Sequence, residues 1–415
     1  MEPSLNNKFC ALLWCHLHIN ADGGARPCCL MYTPESIIGN INKSSIEDLW
    51  NSPTMKRLRV NHLSGAGDVL CNGCYATEAA GLDSFRINFL KGNSKQLTEL
   101  RTTIACTKID GECPNVNLEY WDFRFSNVCN YKCRTCGVHS SSAWNSDWSK
   151  LNNISSAPNV ITWGKDNVDR LSHCAAHIHS VKEIYFAGGE PLVTEEHYQV
   201  LELLKQHNRT DVKIRYNTNL STLTHKQTDL LDDHWANFGR VEISVSLDAI
   251  GEQAEYIRSG TKWETVERNL SRLVGASNKG NITLLFNVSI SVLNVMYIVN
   301  LFSYLVKVGA IGNSQDSYKF LFNVVHSPDY YFIGNLPQSA KNEIRDMFIK
   351  ADELLEIQKY TVPFFTKLFP ILDQEIDYNK IRTFKKVTLD LDSIRNERIA
   401  DSLPELWKHY SGSSH

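Results

Sequence analysis

The sequence predicts an α/β fold in which six βα units form a partly open parallel barrel, preceded by a cysteine-rich module and followed by a helical segment. Three observations predict it. Strand-like runs fall near 118–126, 182–187, 212–219, 240–248, 282–292 and 318–325, with helical stretches such as 195–207 and 263–277 between them. Strands spaced by helices in this way read as repeated βα units on a parallel sheet. Several of these strands alternate polar with apolar residues, whereas buried parallel strands are normally apolar on both faces. Finally, the first strand runs into a loop holding Cys129, Cys133 and Cys136.

Taken in order, residues 1–94 form the cysteine-rich module, rich in turns and with one helix around Ser45 to Leu63. Gly23-Gly24 supplies a hairpin turn. Residues 95–117 are a linker, and 118–336 hold the barrel. Asp122, Arg124 and Ser126 share one face of its first strand, opposite Trp121, Phe123 and Phe125. Ser244, Ser246 and Asp248 oppose Val241, Ile243, Val245 and Leu247 in the fourth, and Asn287, Ser289 and Ser291 oppose Phe286, Val288, Ile290 and Val292 in the fifth. With the apolar faces on outer helices, the polar faces line the lumen, unlike the apolar filling of a closed eight-stranded barrel. Thr283 to Val306 is the longest uncharged stretch; its first half alternates, so it reads as a strand and an amphipathic helix and not as a membrane span. The stretch 137–181 holds Trp144, Trp148 and Trp163 and reads as a helix and a loop over the cysteines, with packing as the role of each tryptophan. Residues 337–415 are helical, with Leu-rich segments near 343–358 and 398–408, and cover the open edge or bottom of the barrel.

The C-x3-C-x2-C spacing carries the chemistry. Three thiolates in one loop grip three corners of a [4Fe–4S] cube and leave the fourth iron without a protein ligand. Zinc, the main alternative, usually takes four ligands at paired C-x2-C spacings, and no fourth ligand adjoins this run; three unrelated cysteines are the other alternative. Downstream lies Ile184-Tyr185-Phe186-Ala187-Gly188-Gly189-Glu190-Pro191, and later Val245-Ser246-Leu247-Asp248-Ala249 with Tyr256-Ile257-Arg258-Ser259-Gly260. With these motifs in register, the chain resembles the radical S-adenosylmethionine (SAM) superfamily, and the fold expected is a partial (β/α)6 barrel of that type. The resemblance implies a SAM-binding [4Fe–4S] cluster on Cys129, Cys133 and Cys136. It implies S-adenosyl-L-methionine bound by Gly188, Gly189, Glu190, Asn219, Ser246, Asp248 and Arg258. Glu190 would meet the cationic amine, Ser246 and Asp248 the ribose, and Arg258 the carboxylate, onto which a guanidinium forks well. Where many members carry an aromatic residue before the third cysteine, this chain has Thr135, with Tyr131 as the substitute for contact with adenine.

A second constellation lies in the module: Cys10, Gly23 with Cys28 five residues on, and Cys71-Asn72-Gly73-Cys74. Together with Gly39-Asn40-Ile41 and Asp48-Leu49-Trp50-Asn51-Ser52, it resembles the SPASM/twitch cluster-binding module. That likeness implies an auxiliary [4Fe–4S] cluster on Cys10, Cys28, Cys71 and Cys74. Neighbours on a strand face opposite ways, so one of Cys28 and Cys29 binds, and the Gly-x4-Cys count favours Cys28. Cys10 is favoured over Cys15 by its spacing to Gly23. Zinc on the same four thiolates is the rival, since both sites share ligands and spacing. Cys106, Cys113 and Cys174 fit neither site and read as buried free cysteines. In radical SAM proteins the module usually follows the barrel, whereas here it precedes it.

At 415 residues the chain holds two or three domains. With 43 basic against 46 acidic side chains and no basic run, a large nucleic-acid footprint is not expected. Met1 to Phe9 lacks the layout of a secretory signal, and twelve cysteines at ligand spacings suit a reducing cytoplasm better than disulfides. The resemblance implies an enzyme that cleaves SAM reductively to a 5′-deoxyadenosyl radical, fed by an electron donor such as flavodoxin or ferredoxin. Its substrate would be a peptide, sugar or small metabolite. The alternative is a non-catalytic iron–sulfur or zinc protein serving as redox sensor or scaffold. No catalytic acid or base is singled out by the sequence.

Overall fold

The computed structural model describes all residues except 1–7, 80–82, 93, 156–159, 165–166, 279, 313 and 412–415; most of the polar start Met1 to Phe9 thus lies outside the described residues. The module opens with an antiparallel run, β1 (His16–Ile19), β2 (Gly24–Arg26) and β3 (Gly39–Asn40). Gly23 has φ +82°, a left-handed conformation that closes the β1–β2 turn. Helices α1 (Ile46–Trp50), α2 (Pro53–Ser64), α3 (Asn72–Ala79), α4 (Phe85–Gly92) and α5 (Ser94–Ala105) follow. The one helix expected over 45–63 is two. Ser52, extended before Pro53, is driven out of the helical region by the proline ring and instead caps α2 through its side chain. α5 occupies the first half of the expected linker and buries Leu100 and Ile104.

The barrel strands are β4 (Tyr120–Phe123), β5 (Glu183–Phe186), β6 (Lys213–Thr218), β9 (Arg240–Ser246), β10 (Ile282–Ile290) and β11 (Phe320–Val324), with a short hairpin, β7 (Thr224–His225) and β8 (Thr228–Asp229), after β6. All six are parallel and lie side by side in chain order. Their alternation survives in the fold: in β6, Ile214, Tyr216 and Thr218 are buried while Lys213, Arg215 and Asn217 are half-buried. The β4 edge is not open. β1 pairs parallel to it, His16 opposite Tyr120 and Ile19 opposite Phe123, so module and barrel share one nine-stranded sheet.

Between the strands run α6 (Asn145–Asn152), α7 (Asn167–Ala176), α8 (Glu195–Gln206), α9 (Gly251–Ile257), α10 (Trp263–Ser277) and α11 (Ile298–Lys307). α10 shows why they pack on the sheet: Val266, Leu270 and Leu273, at helical spacing, are all buried. The uncharged stretch resolves into β10 and α11, and among the described residues no helix is long and apolar enough to cross a membrane.

The C-terminal segment comprises α12 (Gln338–Ile357), α13 (Phe369–Leu372), α14 (Tyr378–Arg395), α15 (Ile399–Ser402) and α16 (Pro404–Ser411). Part of it covers the far edge as expected: Phe364 packs on Phe320 and Phe322 of β11, and Phe365 stacks on Phe348 of α12. The rest does something else, since α14 grips the cysteine loop.

Candidate functional site

The strand starts carry an ionic lattice. Arg215 bridges Glu242 (2.7 Å) and Glu183 (2.9 Å), and Lys213 also pairs with Glu242 (2.8 Å). The strand ends carry the motif residues, the end at which parallel α/β barrels place their chemistry.

The loop from Cys129 to Cys136 is fixed by backbone contacts on every side. Val128 O accepts from Glu190 N at 2.8 Å, while Lys132 N and Arg134 N donate to Ser259 O and Ile257 O, both at 2.8 Å. Trp144 Nε1 donates to Cys133 O at 2.8 Å. The approach of Gly189 (φ +49°) is so close that a Cβ there would stand 2.2 Å from Val128 O, which is the physical reason for glycine at this position. Cys133 is buried, and Cys129 and Cys136 are half-buried. Burial pushes the Cys129 thiol up to about 12, with the nearby Cys133 adding to the rise. Cys133 is lowered, first by the hydrogen bond from Cys136 and then, against its burial, by the charge of Arg258.

Arg258 is the cation of this site. Its Nη1 donates to Asp248 Oδ2 at 2.9 Å, and Asp248 Oδ1 accepts from Ser289 N at 2.8 Å. Its Nε is buried without a partner among the described residues. A donor orphaned beside three thiols fits an anionic group held there, so the residues suit a cluster and a SAM carboxylate. Asp248, only 1% exposed, holds Arg258 through one oxygen and the β10 backbone through the other.

Glu190 is anchored from three sides. Its carboxylate turns inward, accepting from Leu192 N (3.1 Å), the Thr218 hydroxyl (2.7 Å) and Asn219 N (2.6 Å). Burial lifts it to about 7 although all three donors pull it down. It ties the loop after β5 to the end of β6. Gly188 (φ +80°) lies along the aliphatic stem of Arg124. Asn219 directs its amide nitrogen to Asn130 Oδ1 (3.0 Å) and lies 4.0 Å from Cys129 Sγ. Ser246 is half-buried on the lumen face, whereas Tyr131 is 3% exposed beneath Gly260.

In the module one cavity is lined by Cys10, Cys28, Cys71 and Cys74 together. Cys15 is fully buried with its thiol on Ala11 O (3.5 Å), and Cys29 lies near Tyr32 and Arg124 on the barrel side. Burial pushes Cys10 and Cys71 up to about 12, with repulsion from Cys71 and from Cys74, respectively, adding to it. Such thiols ionise when a cation replaces their protons, so the donor set fits an iron–sulfur cluster. Among the described residues no three His, Cys, Asp or Glu side chains are spaced to hold a single ion. Buried His62 has its Nε2 3.4 Å from Cys71 Sγ, and buried Arg86 lines the same cavity. The sequence did not point to either, because only folding brings α2 and α4 to the thiols. Cys113 and Cys174 are buried as expected, but Cys106 is exposed.

The C-terminal segment supplies a further missed set. Arg134, inside the cysteine loop and fully buried, pairs with Asp392 and Glu397 (2.5 Å each) and lies 3.7 Å over the Tyr256 ring. Arg395 pairs with Asp147 at 2.7 Å and lies over Trp144 at 4.6 Å.

Residues 10–75 match the iron–sulfur cluster-binding SPASM domain, and residues 123–296 match the radical SAM superfamily. The GTP 3′,8-cyclase of Campylobacter lari is similar at 24% identity over 139 residues, 34% of this chain, so the chain spans 37% of the length of that relative. Among solved structures, anSMEcpe with bound AdoMet and Cp18Cys peptide is 18% identical, covering 54% of this chain and 58% of its own, at a TM-score of 0.35. Streptococcus suis SuiB bound to S-adenosylmethionine is 11% identical, covering 85% and 67%, at a TM-score of 0.32. Residues 123–296 are therefore a radical SAM domain, and a SPASM-type iron–sulfur cluster-binding domain lies ahead of it over residues 10–75.

Proposed function

We propose that the protein reductively cleaves SAM at the Cys129/Cys133/Cys136 site and directs the product at a substrate in the barrel lumen. The observation that supports this most is Arg258, a half-buried cation whose buried Nε has no partner among the described residues, beside a three-thiol loop. A cluster held by Cys129, Cys133 and Cys136 would supply the one-electron reduction that cleaves the sulfonium–carbon bond of SAM and so opens hydrogen abstraction from substrate. The residues hold that chemistry in place. Arg258 takes the SAM carboxylate, and Asp248 fixes Arg258. Gly188 and Gly189 bring bare backbone up to the amine, and Glu190 locks that turn from behind. Asn219 and Ser246 line the ribose side. A non-catalytic cluster carrier has no need of this second set. The electron comes from a donor of the flavodoxin or ferredoxin type in a reducing cytoplasm.

Two experiments test this reading. Anaerobically reconstituted protein is expected to hold about eight irons, as two four-iron cubes, and changing Cys129, Cys133 and Cys136 to Ala should remove one cube only. Stoichiometric zinc without iron after anaerobic purification would overturn the reading. The thiols of Cys10, Cys28, Cys71 and Cys74 close the other site with four ligands, which suits electron transfer or structural support. Changing Cys71 and Cys74 to Ala should therefore leave SAM cleavage measurable by 5′-deoxyadenosine release, while SAM perturbs the paramagnetic resonance spectrum of the barrel cluster alone. A response from the module's cluster would reverse the assignment.

A further inference from the structure

We propose that Arg124 anchors an oxyanion, carboxylate or phosphate, carried by the substrate; this rests on the reading of the lumen as a radical SAM active site. Arg124 leaves the end of β4 on the polar face, beside Gly188 and within reach of Tyr32, Tyr185 and Cys29. It therefore lies between the SAM edge and the auxiliary module, where a substrate would have to sit.

Its guanidinium is held but not used up. Nε contacts Asp122 Oδ1 at 3.3 Å, and among the described residues the two terminal nitrogens have no hydrogen-bond partner. The side chain is 26% exposed, so a ligand can reach it. Other cations are committed: Arg215 and Lys213 to Glu183 and Glu242, Lys132 to Asp147, and Arg258 to Asp248 and, in the reading above, to SAM. A guanidinium donates only, through a planar fork that matches carboxylate or phosphate.

The fork is also pre-aimed. Asp122, fully buried, meets His18 Nδ1 through Oδ2 at 2.8 Å, and His18 Nε2 meets Asn20 Oδ1 at 2.8 Å. Burial works against a charged Asp122, but Arg124 and then His18 outweigh it and hold it well below the usual carboxylate range. Asp122 thus stays ionised and holds Nε, leaving the donors of Nη1 and Nη2 for another group. His18 and Asn20 belong to β1 and its turn, so the module sets the aim of a barrel residue. Restraining a donor before its ligand arrives lowers the entropy lost on binding.

The test uses the full chain, anaerobically loaded with iron and SAM, and calorimetry with pyrophosphate as the phosphate probe and glutarate as the carboxylate probe. The wild type should bind at least one of them, and which one tells the two sources apart. Arg124→Met should weaken that binding tenfold or more, with near-ultraviolet dichroism and iron content as checks of fold. Arg124→Lys should fall between, since an ammonium keeps the charge and loses the fork, and it carries the test alone where the Met variant does not fold. Equal binding by the wild type and Arg124→Lys, or no binding of either probe by the wild type, would overturn the proposal. The underlying reading is scored separately, by whether SAM perturbs the spectrum of the barrel cluster in the wild type.

Discussion

Arg134→Met should loosen the cysteine loop from the C-terminal helices and cost on the order of 3–5 kcal/mol, the range seen when one partner of a buried ion pair is removed. Arg134 is fully buried, and its loss leaves the carboxylates of Asp392 and Glu397 facing each other with no cation between them. The Tyr256 ring loses its cation, and the Tyr256 hydroxyl remains on Asp392 at 2.8 Å. Hydrogen exchange is the suitable readout, with faster exchange expected in α14 and in residues 129–136 before the rest of the sheet. Asp392→Asn and Glu397→Gln added to Arg134→Met should restore part of the protection, because they remove the stranded charges. Wild-type exchange in the single variant would show that the clamp carries no weight.

Gly189→Ala should cut SAM affinity by at least tenfold and reduce iron loading. The new Cβ would stand 2.2 Å from Val128 O and 2.9 Å from Val128 C, and both obstacles are backbone. The residue also sits at φ +49°, where an L-residue pays roughly 1–2 kcal/mol. The turn must therefore move away from the cysteine loop, breaking the bond from Glu190 N to Val128 O. Gly275→Ala is the control: that glycine lies in α10 with nothing within 4 Å of the added methyl, and alanine there favours the helix. Titration calorimetry with SAM and an iron assay decide the matter; affinity equal to the wild type in Gly189→Ala would mean that the turn does not shape the site.

Much of this was legible in the sequence because the signals are local. The six barrel strands, α8 and α10 fall where period-two and helical spacing put them, since each buries one face against a neighbour. The thiol sets were legible because ligand spacing within a loop is written directly in the chain. What escaped depends on distance. Arg134 meets Asp392 across 258 residues, and the charges of α14 read as a solvated face until the fold turns them inward. The inward turn of Glu190 was hidden for a related reason: the motif names the residue, but only Thr218 and Asn219 on the next strand decide which way its carboxylate points. Pro53 was in view, and its break of the helix could have been read.

The pairing of β1 with β4 also has a consequence in time. His16 and its partner Tyr120 are 104 residues apart, so a ribosome adding about 5–20 residues per second needs roughly 5–20 s to deliver the second strand after the first. Through that interval β1 has one neighbour, β2, and a bare edge on its other side. The four module thiols from Cys10 to Cys74 are all synthesised before the strand that completes their sheet. Cluster insertion into the module and closure of the sheet are thus two events in a fixed order of synthesis, and metal delivered early meets a module whose second edge is still waiting for the barrel.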